Sequence, residues 1–339
     1  MTRRSSSVTI RDVAHRAKVS VATVSRYING SAPVSEEVAE RIQEVMGELK
    51  YVPHAAARHL ATQKTKVIGL LLTNMHNDFF APLVSGIESV VQKEGYNLLV
   101  ATHRSGEKSN TQIPTGPHNS DGLIVFADSL NDSEILKLHE AGFPMVLIHR
   151  TAPPNSNIPS VTIENKTATR ELVNHLIEVH HREKIVFVRG PANQEDSYWR
   201  EMGYRESLKF HGIDYNPDLI LSGEFERDIS YQAMSSFLVN GHPCFDAVFT
   251  GDDDSAIGVI NALYEKGYRV PDDISVVGFD DLRLSAFLTP PLTTVNAPTE
   301  MVGRTAARHL FDLLNNKKVD VVTLLPTEIV IRRSCGCSA

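Results

Sequence analysis

Long apolar runs are missing from this 339-residue sequence. None approaches the roughly 20 consecutive apolar residues that a membrane-spanning helix needs. The N-terminal segment MTRRSSSVTI is basic, but the apolar core of a signal peptide does not follow it. We therefore expect a protein without a membrane partner that stays in the cytoplasm.

Cysteine is also scarce, with only Cys244, Cys335 and Cys337 in the chain. An odd and sparse count does not build a disulfide framework. The close spacing of Cys335 and Cys337 leaves a metal or redox role open, but no second cluster of Cys or His lies beside them in the sequence. We predict no metal site and no cofactor, and we expect the C-terminal segment to be a solvent-exposed tail.

Positive charge is in deficit overall, and it is distributed unevenly. The chain has 34 Lys and Arg against 41 Asp and Glu, a formal net charge of −7. Residues 1–66 nevertheless carry +5, which leaves −12 for the remainder. This asymmetry predicts that residues 1–66 bind a polyanion and that the acidic remainder of the chain does not.

Residues 9–29, TIRDVAHRAKVSVATVSRYIN, predict two short helices joined by a tight turn. Thr9 is a good cap for the first helix, and Ser20 for a second helix from Val21 to about Asn29. The exposed face of the second helix has small or hydrogen-bonding side chains, which suit the DNA major groove. These side chains are Ala22, Thr23, Ser25, Arg26 and Asn29. A two-helix corner of some other small bundle is the alternative interpretation.

A third amphipathic helix is predicted after residue 35, which completes a small bundle within residues 1–51. Residues 52–66 contain Pro53 and the alanine-rich run AAARHLA, which favours a helix too short to be stable alone. We interpret them as a hinge that is helical only when a contact with another molecule or segment stabilises it. A plain interdomain linker is the alternative.

From residue 67 onwards, predicted strands and helices alternate, which indicates an α/β core of parallel sheets with helices on both faces. About 270 residues are more than one sheet needs, so we expect two lobes. Predicted strands are 67–73, 96–102, 122–126, 145–149, 184–189, 247–250 and 275–279, and predicted helices are 80–94, 166–179, 198–211 and 254–266. Residues 103–120 interrupt the alternation, and they are expected to form an exposed loop because they contain two prolines and almost no apolar residue.

Five stretches together resemble the lactose/galactose-repressor family of bacterial transcription factors. They are VTIRDVAHRAKVSVATVSRYING, YVPHAAARHLA, VIGLLLTNMHNDFFAPLVSGIE, GDDDSAIGV and DISVVGFDDLRLSAFLTPPLTTV. The resemblance implies a helix-turn-helix headpiece (residues 1–51), a hinge helix (52–66) and a two-lobed core like periplasmic sugar-binding proteins (67–339). Its N-terminal lobe would comprise residues 67–163 and 295–325, and its C-terminal lobe 164–294 and 326–339.

The resemblance also assigns DNA contacts. Val21 and Ala22 occupy positions that read operator bases, Arg26 contacts a base or the backbone, and Leu60 occupies the place of a hinge leucine that enters the minor groove. The remaining expected contacts are Thr9, Ser20, Thr23, Ser25, Asn29, His54, Ala57 and Arg58. Lys18 replaces the usual Gly of the turn, and His54 replaces the usual Asn.

By the same resemblance, an effector would bind in a cleft between the lobes. The matching positions are Phe79, Phe80, His149, Arg200, Asp252 and Asp280. An arginine with carboxylates can hold vicinal hydroxyls while an aromatic ring packs against a sugar. One of the two phenylalanines is expected in the core, and Asp253 is a candidate structural acid. Tyr198 and Trp199 would either line the cleft or pack within their helix.

These observations predict a transcriptional regulator, and more specifically a repressor. As a homodimer it would bind a palindromic double-stranded operator in the nucleoid, under control of a small effector. A sugar is the leading effector class, and a purine or nucleoside is the alternative. A solute-binding receptor would have a signal sequence and no basic headpiece. An enzyme acting through the acids at 252–254 and 280–281 is the remaining alternative, but no nucleophile or metal site accompanies them.

Overall fold

The architecture is taken from a computed structural model, which describes residues 8–29, 32–51, 64–76, 78–104, 113–241 and 243–338. The chain divides into two units, Met1–Lys66 and Val67–Ala339. Most of the predicted hinge, residues 52–63, lies outside the described residues. Within the residues that are described, every helix is too short or too polar to cross a bilayer.

The first unit contains three helices, α1 (Ile10–Ala17), α2 (Val21–Asn29) and α3 (Glu36–Glu48). Their apolar faces meet in one small core, because apolar residues recur at three- and four-residue spacing in each helix. Fully buried members of this core are Val13, Ala17, Val24 and Ile42. Helix α2 begins and ends at the residues that the sequence predicted.

The second unit alternates strands with helices. Its strands are β1 (Val67–Leu72), β2 (Asn97–Thr102), β3 (Gly122–Phe126), β4 (Met145–Ile148), β5 (Ser160–Ile163), β6 (Ile185–Arg189), β7 (Ile220–Ser222), β8 (Ala247–Thr250), β9 (Ser275–Val277), β10 (Thr294–Asn296), β11 (Val322–Leu325) and β12 (Glu328–Val330). Its helices are α4 (Phe80–Lys93), α5 (Asp132–Glu140), α6 (Lys166–His180), α7 (Glu195–Phe210), α8 (Arg227–Val239), α9 (Asp253–Glu265) and α10 (Thr299–Leu314).

A six-stranded parallel sheet, in the order β11-β5-β4-β3-β1-β2, forms what we call the N-terminal lobe. Alternate residues of its strands point to opposite faces. Ile68 and Leu70 join the core shared with α4 and α10, whereas Leu71 and Leu123 join a second core with α5. Both faces of the sheet are therefore covered, as an all-parallel sheet requires.

Helices α4 and α10 cross closely because each has a glycine at the contact. A Cβ atom at Gly86 would lie 2.1 Å from the carbonyl oxygen of Glu300, and one at Gly303 would lie 2.3 Å from that of Leu83. No side chain fits at either position, so these glycines set the distance between the two helices.

A four-stranded parallel sheet, in the order β7-β6-β8-β9, forms the C-terminal lobe. A short antiparallel pair, β10 with β12, belongs to two of the segments along which the chain passes between the two large sheets. The prediction of two parallel sheets is confirmed by this topology. Because parallel strands place their carboxyl ends at one edge, the loops of each sheet gather where a ligand can bind.

The predicted exposed loop at residues 103–120 is only partly exposed. Residues 105–112 lie outside the described part, but Thr115 and Ser120 are buried. The Thr115 hydroxyl donates to Ser120 Oγ at 3.2 Å, so the two polar groups satisfy each other inside the fold. Thr115 also fills the space above Gly69 of β1, where a Cβ atom would lie 2.4 Å from its Oγ1.

The prediction of a solvent-exposed C-terminal tail is wrong. Cys335 is fully buried, and the residue before it extends the edge of β9. The Val276 N–H donates to the Ser334 carbonyl at 2.9 Å, and the Ser275 hydroxyl donates to the Cys335 carbonyl at 2.8 Å. These bonds hold the segment against the sheet, which composition alone did not indicate.

Candidate functional site

Helix α2 presents a polar face that is fixed at its start by Ser20. The Thr23 N–H donates to Ser20 Oγ at 3.0 Å, which is the bond expected of an N-cap. Ala22 and Arg26 are exposed one turn apart, on the side of the helix opposite the buried Val24.

The remaining headpiece positions are placed as follows. Val21 is exposed at the start of α2, and the Asn29 side-chain amide donates to Ser25 Oγ at 3.1 Å within the same helix. Thr9 is exposed, and both its N–H and its hydroxyl donate to Asp12 at 2.7 Å, which fixes the start of α1. The predicted hinge contacts His54, Ala57, Arg58 and Leu60 lie outside the described residues.

A cavity of about 640 Å³ lies between the two large sheets, at the carboxyl ends of their strands. The N-terminal lobe lines one side of it and the C-terminal lobe the other. The lining includes five of the six predicted cleft residues, Phe79, Phe80, Arg200, Asp252 and Asp280. Other lining residues, which the sequence did not single out, include Phe126, Asp128, Asp196 and Phe225.

Arg200 of α7 lines the cavity and is held by several polar and aromatic partners. Its guanidinium donates to Asp280 Oδ1 at 3.2 Å, to Asn165 Oδ1 at 2.9 Å and to the Gly251 carbonyl. The same group lies 3.7 Å from the centre of the Phe279 ring, a cation–π distance. Arg200 is almost fully buried, so these partners hold one orientation of its planar group.

His149 is buried and does not line the cavity, but it is hydrogen-bonded to Asp196, which does. Its Nδ1 shares a hydrogen bond of 2.8 Å with Asp196 Oδ2, and the Asn165 amide donates to Asp196 Oδ1 at 2.8 Å. Burial alone would raise the pKa of Asp196, but His149 and Arg200 hold it below its usual range. Asp196 therefore presents a stable carboxylate to the cavity. His149, a predicted cleft residue, holds that carboxylate in place instead of lining the cavity itself.

Asp252, Asp253 and Asp280 lie at the same edge of the C-terminal lobe but have different roles. Burial, together with the carboxylates of Asp280 and Asp254, raises the pKa of Asp252 to about 7. Burial also raises the pKa of Asp280, while Arg200 opposes that shift. Asp252 caps α9 through the Ser255 N–H at 3.1 Å and still lines the cavity.

Asp253 is the structural acid of this group. It accepts hydrogen bonds from the Leu282 N–H at 2.9 Å, the Ser285 hydroxyl at 2.5 Å and the Thr294 hydroxyl at 2.6 Å. These bonds tie α9 to the loop after Asp280, so Asp253 shapes the wall of the cavity without lining it. The sequence-based expectation that one of the neighbouring acids is structural agrees with this geometry.

Aromatic rings line the cavity from both lobes. Phe79 and Phe80 meet edge to face with ring centres 5.4 Å apart, and Phe80 is the more buried of the two. From the other lobe, the Phe225 ring covers Gly190, where a Cβ atom would lie 2.1 Å from the ring. Tyr198 and Trp199 of α7 are about half exposed and are absent from the lining, and their rings meet edge to face with centres 5.0 Å apart.

A larger cavity of about 1110 Å³ lies beyond Phe79 and Asp280. Exposed side chains such as Phe287 and Met301 line it, and it lacks Arg200, Asp196 and Asp252. The smaller cavity is the better ligand site, because it combines buried, oriented polar groups with aromatic surface.

Comparison with known proteins identifies both units. Residues 9–54 match the model for bacterial regulatory proteins of the lacI family, and residues 173–335 match a periplasmic binding protein-like domain. The probable HTH-type transcriptional repressor ExuR of Bacillus subtilis is 34% identical over 333 residues, covering 96% of this chain and 98% of ExuR. Catabolite control protein A of Priestia megaterium is 32% identical over 332 residues, covering 97% and 99%.

Solved structures agree with that assignment. The lac repressor dimer bound to operator and the anti-inducer ONPF superposes with a TM-score of 0.80 at 27% identity, covering 97% of this chain and 99% of that one. The transcriptional regulator CelR–cellobiose complex superposes with a TM-score of 0.70 at 31% identity, covering 96% of this chain and 99% of that one. The predicted resemblance and fold class are confirmed, and the chain belongs to the lacI family of bacterial regulatory proteins, as a DNA-binding transcriptional regulator and not an enzyme.

Proposed function

We propose that this protein represses transcription by binding a near-palindromic operator as a homodimer, and that a neutral sugar bound in the 640 Å³ cavity controls this binding. The observation that carries the proposal is the pairing of an exposed, capped helix α2 with a cavity lined by oriented carboxylates, one arginine and aromatic rings. As a regulator of transcription it would act in the cytoplasm, at the nucleoid.

The DNA-binding part of the proposal rests on the exposed face of α2. The small side chains of Val21 and Ala22 allow the helix to approach the major groove and to touch thymine methyl groups. They cannot make bidentate hydrogen bonds, so Arg26 would supply most of the polar recognition of bases. Two copies related by two-fold symmetry would read two half-sites about one helical turn apart. The lac repressor structure compared above is a dimer bound to operator.

The ligand part of the proposal rests on the charges of the cavity. Seven carboxyl groups line it against two guanidinium groups, those of Arg104 and Arg200. The carboxyl groups are those of Asp128, Asp196, Glu224, Glu226, Asp228, Asp252 and Asp280. This excess of acids disfavours phosphorylated and other anionic ligands. A neutral sugar suits the site, because carboxylates accept hydrogen bonds from hydroxyl groups while Phe79 or Phe225 packs against the apolar face of the ring.

A purine or nucleoside is the second candidate, since Phe79, Phe126 and Phe225 offer aromatic surface to a base. The sugar is favoured because the cavity has more acceptors than a purine has donors. The CelR structure compared above contains a disaccharide, cellobiose.

Control of DNA binding would pass through the segment that joins the two units. A ligand held by both lobes changes their separation, and residues 52–66 would then order on DNA or release it. Ligand and operator would be coupled through this one transition. We retain the predicted division into headpiece (1–51), hinge (52–66) and core (67–339) as part of the proposal.

A thermal-shift screen of neutral sugars, sugar phosphates and nucleosides tests the ligand class. A ligand at 100 times its Kd adds about 2.7 kcal/mol to the free energy of unfolding, a readily measured shift. The Phe79→Ala variant should lose this shift, whereas Phe210→Ala, at an exposed phenylalanine of α7, should keep it. A shift produced only by nucleosides would favour the second candidate.

Selection from a random duplex library at low ionic strength tests the operator. We expect enrichment of sequences with two-fold symmetry, first without ligand and then with the sugar found in the screen. Equal recovery of symmetric and random duplexes under both conditions would contradict the proposed function.

A further inference from the structure

Four metal-ligating side chains from distant parts of the sequence converge at the end of α6. His175 and His180 lie in the last two turns of that helix, and Cys335 and Cys337 follow β12 near the C-terminus. Their ligand atoms all lie within 4.8 Å of one another. We refer to these four residues as the His–Cys cluster, which lies outside the cavity between the lobes.

Three of the four ligand atoms already have the spacing of a tetrahedral zinc site. The two Nε2 atoms of His175 and His180 are 3.2 Å apart, and Cys337 Sγ lies 3.6 Å and 3.4 Å from them. With Zn–N of about 2.05 Å and Zn–S of about 2.3 Å, the edges of a tetrahedron are about 3.3 Å between nitrogens and about 3.6 Å between nitrogen and sulfur. The observed distances agree with both values.

The segment that carries the cysteines is held in place independently of the cluster. Ser334 is bonded to β9 through its hydroxyl, which donates to the Val276 carbonyl at 2.6 Å. Cys335 is fully buried, and its Sγ accepts a hydrogen bond from the Thr293 hydroxyl at 3.1 Å. The backbone that follows is therefore positioned before any ion binds, which lowers the cost of assembling a site.

Gly336 allows the two cysteines to face the same helix end. Its φ of +116° is a conformation that other residues rarely adopt. A Cβ atom at this position would lie 3.0 Å from Nδ1 of His180, so a side chain would press against the ring. The glycine thus permits both the turn between the thiols and the close approach of the imidazole.

We propose that the His–Cys cluster binds one divalent ion of the zinc class through two imidazole nitrogens and two thiolates. A tetrahedral set of two sulfur and two nitrogen ligands is the type that zinc prefers. Both thiols lose their protons when the ion binds, so two protons are released for each ion and no electron is transferred. Four protein ligands leave no open position, so the ion has a structural role.

The bound ion would join the end of α6 to the C-terminal segment. Helix α6 begins three residues after β5, at one of the points where the chain leaves the six-stranded sheet. The C-terminal segment follows β12 and lies on β9. The ion would thus cross-link two parts of the C-terminal lobe that are about 160 residues apart in sequence, and it would limit fraying of the chain end.

Metal loading of the full-length, reduced protein tests this proposal. After removal of metal with a chelator, we expect one equivalent of Zn²⁺ per chain by elemental analysis, and Co²⁺ should give the visible spectrum of a tetrahedral thiolate site. An excess of Zn²⁺ at 100 times its Kd should raise the midpoint of thermal unfolding by about 5 °C. Each of Cys337→Ser and His180→Gln should lose the cobalt spectrum and the shift.

Matched controls separate the cluster from other histidines and thiols. Cys244→Ser and His139→Gln change exposed residues elsewhere and should behave as the wild type. Circular dichroism of each variant without metal establishes that it is folded. An octahedral cobalt spectrum, or equal zinc binding by the cluster variants and the wild type, would overturn the proposal. So would a Cys335–Cys337 disulfide that resists reduction in the folded chain and excludes the ion.

Discussion

Lys18 adopts a conformation that suits glycine better than lysine. It ends α1 with φ of 54° and ψ of 43°, in the left-handed region, and the next N–H, that of Val19, bonds back to Ala14 at 3.0 Å. A non-glycine residue in this conformation costs about 1 kcal/mol. The glycine that is usual here in the family therefore has a physical reason, and Lys18 keeps the turn at some cost to stability.

The Lys18→Gly substitution should stabilise the headpiece by about 0.5–1 kcal/mol, because glycine adopts this φ freely and its greater entropy in the unfolded chain offsets only part of the gain. Amide hydrogen exchange in α1 and α3 of the full-length protein should slow about two- to five-fold. Lys18→Ala is the control, since alanine meets the same steric barrier. Equal protection in the Gly and Ala variants would contradict the explanation.

Asp252 makes the stability of the folded protein depend on pH. Its pKa is raised to about 7 by burial and by the neighbouring carboxylates. Because the folded-state pKa lies above the unfolded value, the folded protein favours the protonated acid. Stability from this group is fully present below about pH 4 and is lost as the pH rises towards 7.

The Asp252→Asn substitution should therefore stabilise the protein most above pH 7, by about 1–3 kcal/mol, and least near pH 4. Asparagine also caps helices well, so the start of α9 should be unaffected. Urea unfolding at several pH values measures the difference, with Asp214→Asn at an exposed site as the control. A gain in stability that is the same at pH 5 and pH 8 would show that Asp252 does not titrate as described.

At the scale of elements, local sequence signals were sufficient to predict the bounds of a helix or strand wherever a cap or the limit of an apolar run marked its ends. Strands β3 and β8 and helix α2 begin and end as predicted, because glycine, a cap or a polar residue borders each run. In α10, Val302, Ala306 and Leu310 recur at helical spacing, so this helix could also have been predicted. Helix α5 gives a weaker signal, since Ile135 is its only fully buried residue.

The candidate sites were harder to predict because tertiary contacts create them. Asp196 and His149 are 47 residues apart, and only the meeting of the two lobes pairs them. The same reason applies to the His–Cys cluster, whose two halves are more than 150 residues apart. Resemblance identified five residues of the cavity lining, but it gave no information about Phe225, which the fold brings over Gly190.

Helix α2 provides a test of base recognition. Arg26 is exposed one turn after Ala22, so Arg26→Ala should cost about 1–3 kcal/mol at one base position in each half-site. Its loss should also relax the preference at that position. The measurement compares operator variants by fluorescence anisotropy at a fixed salt concentration, because phosphate contacts depend strongly on salt.

Arg41→Ala is the matched control for this experiment. Arg41 lies on α3 and pairs with Glu37 at 3.7 Å. Its removal should leave the preference among operator variants unchanged. An unaltered operator preference in Arg26→Ala would remove Arg26 from the set of base-reading residues.

At the scale of the whole molecule, ligand binding and operator binding must be reciprocal if one conformational change links them. The proposed sugar should change the Kd for operator by a factor of about 5–150, and operator should change the Kd for the sugar by the same factor. Trp199 is the single tryptophan and neighbours Arg200 on α7, so its fluorescence offers a readout of the sugar site with and without operator.

The Asp252→Asn variant makes this test specific. It should bind the sugar more weakly, because an acidic side chain that lines the cavity is replaced by an amide, yet its affinity for operator without sugar should match the wild type. At saturating sugar the two proteins should show the same change in operator affinity. They should differ only in the sugar concentration that produces this change. A factor of one in both directions would show that the cavity does not control DNA binding. Unequal factors would show that dimer assembly is a third linked equilibrium, which repeating the titrations over a range of protein concentrations would resolve.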